Sequence, residues 1–149
     1  MQLTAKTNYA IRALIDIAGD DLTLPKSLQK IAKRQNVTLS FLEQIFSELK
    51  KAAIVKSVKG PGGGYLLTSD PQDLYLIDVF KAVDESCRIT SCNGQISCTG
   101  RNHPKCSSHF FLEDFSNHVT SYLQSVSIAN LSEKYNNYCQ NIKKYEQAS

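Results

Sequence analysis

No stretch of this 149-residue chain approaches the roughly 20 consecutive apolar residues of a membrane-spanning helix. The opening residues Met1-Gln2-Leu3-Thr4-Ala5-Lys6 lack an apolar stretch behind a basic start, so no secretory signal is expected. The expected location is the cytoplasm, where thiols stay reduced and cysteines read as metal or redox ligands before disulfides. Among Cys92, Cys98 and Cys106 no pair has the C-x2-4-C knuckle spacing common in structural zinc sites. The glycines at 60–64 are not followed by Lys-Ser/Thr and have no strand–loop–helix context, which removes a phosphate-binding loop. Charge of one sign is scarce too: 17 Lys/Arg against 14 Asp/Glu leave a net +3. What remains is one compact domain, or a small domain with an attached effector and oligomerisation segment. An apolar fraction of 42% is ordinary for such a chain and argues against wholesale disorder.

The charge that is present is unevenly placed. Residues 1–68 hold 10 Lys/Arg and 5 Asp/Glu, a net +5, whereas residues 69–149 hold 7 and 9, a net −2. The basic half is the candidate for a polyanion partner. Within it Thr4 can cap a helix with apolar positions Tyr9, Ala10, Ala13, Leu14 and Ile17, ended by Asp20-Asp21. Ser27 can cap a short helix that faces inward through Leu28, Ile31 and Ala32. Gln35-Asn36-Val37 is a tight turn, and asparagine tolerates the left-handed conformation.

The next helix is predicted over about Leu39–Lys51. Leu42, Ile45, Phe46 and Leu49 form its core stripe, while Ser40, Glu43, Gln44 and Ser47 form a second stripe of short polar heads. A helix, a short turn and a second helix with such a face make a helix-turn-helix, whose second helix enters the major groove. Gln44 suits adenine. Glu43 has two readings. Ser40-Phe41-Leu42-Glu43 matches a capping box. If the helix instead begins at Thr38, Glu43 points into the groove and accepts from a cytosine amino group.

Branched residues in Ile54-Val55-Lys56-Ser57-Val58-Lys59, the break Gly60-Pro61-Gly62-Gly63-Gly64 and the extended Tyr65-Leu66-Leu67 predict a hairpin. A basic hairpin directly behind a recognition helix is a wing. Lys56 and Lys59 would meet phosphates or lie in the minor groove, and Gly60 and Gly62 let backbone approach the duplex. The predicted DNA-binding set is Thr38, Ser40, Glu43, Gln44, Ser47, Lys56, Lys59, Gly60 and Gly62. The predicted fold is mostly α with a small β-hairpin wing, a winged helix-turn-helix over 1–68 followed by a helical region over 69–149. Double-stranded DNA is the expected partner and no membrane is.

In the second region Leu76, Phe80 and Val83 mark a short helix ending near Asp84-Glu85-Ser86. Then Cys92, Cys98, Cys106 and His109 follow one another as C-x5-C-x7-C-x2-H, in a run that also holds Gly94, Gly100 and Pro104. Such a run cannot be a helix or strand interior, so the thiols are not there to be packed. Thiolate plus imidazole suits a soft or borderline metal centre. An iron–sulfur cluster tolerates wide spacing and mixed Cys/His ligation, and spacing alone does not decide between it and zinc. Within the loop 87–109, His103 is the substitute for His109, and Cys87 lies outside the frame. His118 caps or packs, and Cys139 is a small packing residue.

Beyond the loop Leu112, Phe115, Val119, Tyr122 and Val126 recur in steps of 3, 4, 3 and 4, which is heptad spacing sustained for two heptads. A last helix carries Leu131, Tyr135, Tyr138, Ile142 and Tyr145. Both stripes can pack within one subunit. The first is nevertheless expected to pair two subunits along a long dimerisation helix, because a helix-turn-helix protein reads two half-sites about one helical turn apart.

Four segments carry a resemblance: Leu3-Thr4-Ala5-Lys6 with Tyr9-Ala10, Leu39-Ser40-Phe41-Leu42-Glu43-Gln44-Ile45-Phe46, Lys59-Gly60-Pro61-Gly62-Gly63-Gly64-Tyr65-Leu66-Leu67, and Ala82-Val83-Asp84-Glu85-Ser86. Over roughly residues 1–125 the chain resembles the IscR-like branch of the Rrf-type winged-helix repressor family. The resemblance implies a homodimeric transcriptional regulator, not an enzyme. It implies a 2Fe–2S cluster on Cys92, Cys98, Cys106 and His109, an apo form without it, and an iron–sulfur assembly scaffold as cluster donor. It also implies that Ser40, Glu43 and Gln44 read bases, that Lys59 contacts DNA, and that the regulated genes serve iron–sulfur cluster assembly.

Two departures stand out. The Cys98–Cys106 gap is two residues longer than the IscR type implies. Asn8 occupies a position where nitric-oxide-sensing relatives carry a ligating aspartate, and an amide is a poor iron ligand. The alternatives are a nitric oxide or redox sensor of the same family, a winged-helix protein with structural zinc, and an electron-transfer or cluster-carrier protein.

Overall fold

The computed structural model describes residues 3–85 and 107–147, so Cys87, Cys92, Cys98, His103 and Cys106 lie outside the described residues, as does the Tyr145 side chain. Among the described residues the order is α1 (Ala5–Ala18), α2 (Leu28–Gln35), α3 (Leu39–Lys51), β1 (Val55–Val58), β2 (Gly64–Leu67), α4 (Leu76–Ala82), α5 (His109–Ser125) and α6 (Ile128–Gln147). This is the mostly helical, hairpin-bearing fold expected from the pattern.

Helix α1 starts at Thr4, whose hydroxyl accepts the Thr7 amide at 3.3 Å. It stops at Gly19, before the Asp20-Asp21 pair expected to end it. Its buried face is Thr7, Ala10, Ala13, Leu14 and Ile17. Helix α2 ends on Asn36 in the left-handed region, at φ 52°, and the Asn36 and Val37 amides return to the Lys33 and Ala32 carbonyls. Ser27 stands at the N-cap of α2 but its side chain makes no capping bond.

Helix α3 begins at Leu39, and Thr38 caps it by accepting the Phe41 amide at 3.4 Å. The capping-box reading of Ser40 and Glu43 is corrected. Glu43 lies past the first turn, where no backbone donor is left to cap.

Leu14, Ile17, Ile31, Leu42, Ile45, Phe46, Leu49, Val55 and Val79 form one core shared by α1–α4 and β1. Burying each such side chain contributes about 1.5–3 kcal/mol. The same core takes in Leu123, Val126 and Ile128, where α5 turns into α6. That elbow is bonded to the start of α4. The Leu76 amide donates to Val126 O at 3.0 Å, Ile128 to Leu74 O at 2.8 Å and Ala129 to Pro71 O at 3.0 Å.

Val126 is therefore corrected as a member of the outward stripe. It is the residue on which α5 ends, extended at φ −106°, and it is buried inside its own chain. A helical repeat has no meaning past the residue where the helix stops.

Helix α4 ends in a Schellman cap. Asp84 is left-handed at φ 56°, its amide donates to Lys81 O at 3.3 Å, and the Glu85 amide donates to Phe80 O at 2.9 Å. Asp84 does there what glycine usually does.

Candidate nucleic-acid interface and metal centre

The two stripes of α3 separate as their periodicity requires. Leu42, Ile45, Phe46 and Leu49 are buried, and Ser40, Glu43, Gln44 and Ser47 are exposed together on the opposite face. Thr38 is exposed beside them. None of the four polar heads is spent on the core, so all are available to base edges.

The hairpin pairs antiparallel with Val55 opposite Leu67, Lys56 opposite Leu66, Ser57 opposite Tyr65 and Val58 opposite Gly64. Lys56, Lys59, Gly60 and Gly62 are exposed. Gly60 (φ 103°) and Gly62 (φ 79°) take conformations that a side chain would strain, and Gly63 N–H closes the turn on Gly60 O at 2.9 Å.

The wing is held against α3 from two directions. Phe46 and Tyr65 meet edge to face at 4.9 Å between ring centroids, and Lys50 Nζ donates to Ser57 Oγ at 2.9 Å. A third attachment is backbone to backbone: Lys26 and Tyr65 exchange hydrogen bonds of 2.8 and 2.9 Å. A Cβ on Gly64 would sit 2.3 Å from Lys26 O, so only glycine permits that approach. The wing is thus tied both to the recognition helix and to the segment that leads into α2.

The attachment brings Lys26 and Lys30 into a cleft shared with Gly62 and Gly63. Sequence reasoning did not nominate either lysine. Lys26 is paired with Asp20 at 3.3 Å, whereas Lys30 is exposed. Two lysines around the first turn of α2 were the available signal.

At the other end, His109 is the first residue of α5 and its imidazole is buried at 5% exposure. Its Nε2 lies 3.4 Å from Glu113 Oε2, one turn along the helix. A carboxylate beside an imidazole is the usual means of orienting a histidine ligand. The donor set fits a thiolate–imidazole centre: three cysteines lead into a histidine that is held in place by its own helix. Among the described residues alone, no three His, Cys, Asp or Glu side chains converge. His118 faces its own helix, with Nδ1 at 2.7 Å from Asp114 O. Cys139 is a free, half-buried thiol one turn from Tyr135, and the hydrogen bond to it pushes the Tyr135 phenol above its usual range.

On α5 the exposed aromatic side chains are Phe110, Phe111, Phe115 and Tyr122, at 66%, 68%, 43% and 61% exposure, with Phe111 and Phe115 stacked at 6.2 Å. Leu112 and Val119 are half-buried. The outward face is thus rotated from the predicted heptad, and Phe111 was the member missed.

A polar-faced helix, a wing locked to it and a buried core behind both define a winged helix-turn-helix DNA-binding protein. The chain belongs to the Rrf2 family, described as iron-dependent transcriptional regulators, whose pattern it matches over residues 3–134. It is 43% identical over 131 residues to the HTH-type transcriptional regulator IscR of Xenorhabdus nematophila, covering 88% of this chain and 79% of that protein. The IscR of Escherichia coli O139:H28 is 41% identical over 131 residues, covering 88% and 80%. Among solved structures, T. potens IscR superposes with a TM-score of 0.75 at 27% identity, covering 91% of this chain and 88% of that one. CymR of B. subtilis, a global cysteine regulator, shares the fold with a TM-score of 0.75 at 24% identity, covering 90% and 98%. The chain is a DNA-binding transcriptional regulator, in a family of regulators rather than enzymes. No described helix is long and apolar enough to cross a membrane.

Proposed function

We propose that this regulator senses iron–sulfur cluster status through a 2Fe–2S cluster on Cys92, Cys98, Cys106 and His109 and controls genes for iron–sulfur cluster assembly. The observation that carries the reading is His109. It is buried at the first position of α5, three residues after the last cysteine of C-x5-C-x7-C-x2-H, in a chain about 40% identical to regulators named IscR. A bound cluster supplies a reversible cross-link whose presence depends on cluster supply and oxidation. An imidazole is a weaker and protonatable ligand beside thiolates, which suits a centre meant to be lost. His109 also ties the ligand segment to α5, so the state of that segment bears on where α5 starts.

The DNA-reading set is Ser40, Glu43, Gln44 and Ser47 on α3, with Thr38 beside them and Lys56, Lys59, Gly60 and Gly62 on the wing. Residues 1–68 form the DNA-binding unit and residues 69–149 the dimerisation and cluster-binding region. The protein acts as a homodimer through Leu112, Phe115, Val119 and Tyr122, and Phe111 joins them. An assembly scaffold is the cluster donor.

The test is anaerobic purification followed by iron, sulfide and visible spectroscopy. The expected protein is coloured, with equal iron and sulfide, and His109→Ala alters the spectrum while leaving the helical circular dichroism intact. A colourless protein holding one zinc per subunit would overturn the cluster reading and leave a zinc-stabilised regulator.

A further inference from the structure

Glu85 is the last described residue before the cysteine segment, and it is bonded to the opposite end of the DNA-binding head. One carboxylate oxygen, Oε2, accepts from the Thr4 amide at 3.3 Å, from the Thr4 hydroxyl, and from the Thr7 hydroxyl at 2.5 Å. The Thr7 side chain is fully buried, so that bond satisfies a donor with no access to water. The carboxylate also lies at the N-terminus of α1, where the helix dipole favours negative charge.

Glu85 is placed there by the Schellman cap of α4, which fixes its amide on Phe80 O at 2.9 Å. On α1, two residues beyond Thr4, Lys6 Nζ grips both oxygens of Glu48 at 3.2 and 3.1 Å. Glu48 belongs to α3 and follows Ser47 of the DNA-reading face. A continuous set of bonds therefore runs from the entry of the cysteine segment, through the start of α1, to the recognition helix.

We infer that Glu85 is a positioning residue that couples the state of the cysteine segment to DNA affinity by setting the N-terminus of α1 and, through Lys6 and Glu48, the seat of α3. The inference rests on the cluster-sensing reading for the signal it transmits, while the bonds themselves are independent of that reading. A contiguous path is not yet a coupling, and a mere cap would show the same contacts. What separates them is a ratio of affinities.

The experiment uses the full chain as wild type, Glu85→Ala, Glu85→Gln and Thr7→Val. Each is prepared cluster-loaded and cluster-stripped, with iron, sulfide and visible spectra recorded. Each form is titrated onto one duplex selected from random sequence by the wild-type protein. The readout is the ratio of the two dissociation constants, which in the wild type is expected to be on the order of 5 or more in one direction.

Glu85→Ala is expected to keep its cluster and bring the ratio to about 1. Glu85→Gln keeps the shape and an acceptor oxygen, and recovers part of the ratio. Thr7→Val removes the buried donor without touching the segment and lowers the ratio in the same way, which keeps the test valid should Glu85→Ala fold poorly. If the variants lose thermal stability and both dissociation constants shift together, the ratio is kept, Glu85 is only a cap and the inference is overturned. The same follows if the wild type holds a cluster and binds DNA specifically but shows a ratio of 1. A wild type without a cluster would instead sink the cluster-sensing reading, and the coupling with it.

Discussion

The Thr38 hydroxyl accepts the Phe41 amide at 3.4 Å, and that bond decides what Glu43 is free to do. With the first turn of α3 already capped, Glu43 stands exposed between Ser40 and Ser47 with no backbone donor to serve. Thr38→Ala is expected to cost about 0.5–1 kcal/mol in a urea titration, as a lost N-cap does. Glu43→Ala should stay within about 0.5 kcal/mol of the wild type. In a binding competition across duplexes it should relax the base preference at one position. A destabilisation by Glu43→Ala as large as that of Thr38→Ala would return Glu43 to a capping role.

Lys59 sits at the end of the first wing arm, beside glycines whose backbone can approach a duplex. A lysine there meets phosphate, which carries no sequence information. Lys59→Ala is therefore expected to weaken all duplexes by a similar factor and to lower the slope of log affinity against log salt by about 0.9. Loss of discrimination between duplexes, with the salt slope unchanged, would mean that Lys59 reads a base edge instead.

What was legible in the sequence is what local chemistry writes there. The bounds of α3 follow from two stripes that keep their period between a threonine and a lysine pair. The wing follows from three consecutive glycines between branched residues, and the turn before α3 from Asn36. What was not legible is non-local. Glu85 and Thr7 are separated by 78 residues, and no periodicity joins them. The same holds for Lys6 and Glu48, and for the elbow that buries Val126 against α4. The heptad on α5 misplaced its last position because the helix breaks at Val126, which belongs to the elbow rather than to the helix face. Of the ligand set, only His109 falls among the described residues.

The bonds to Thr4 and Thr7 hold the Glu85 carboxyl below its ordinary value of 4.5, the side-chain bonds contributing most. A carboxylate whose folded pKa is lowered stabilises the fold fully above its unfolded pKa. That contribution disappears as pH falls through the lower folded value. Glu85→Gln should therefore be less stable than the wild type by about 1 kcal/mol near neutral pH, a charge-assisted bond discounted for partial exposure. The difference should hold above the ordinary carboxylate range and shrink as pH falls below it, the two proteins converging once the Glu85 carboxyl is protonated in the folded state. Chemical denaturation across that range checks it. A difference independent of pH would mean that shape rather than charge holds the α1 N-terminus.

Val126 and Tyr122 lie four residues apart on what the sequence presents as one stripe, yet one is 8% exposed and the other 61%. Their substitutions should fail in different ways. Val126→Ala removes buried methyls from the elbow and is expected to cost about 1–3 kcal/mol of folding stability, with little effect on association of the folded chain. Phe115→Ala combined with Tyr122→Ala removes exposed rings from the face assigned to the partner subunit. It should leave the unfolding midpoint at low protein concentration nearly unchanged while raising the dimer dissociation constant on the order of tenfold or more. Because two half-sites must be read together, DNA affinity should fall with it and recover at higher protein concentration. Sedimentation equilibrium on both variants decides the matter. If the double variant remains as dimeric as the wild type, the subunits meet elsewhere and the ring face of α5 has another occupant.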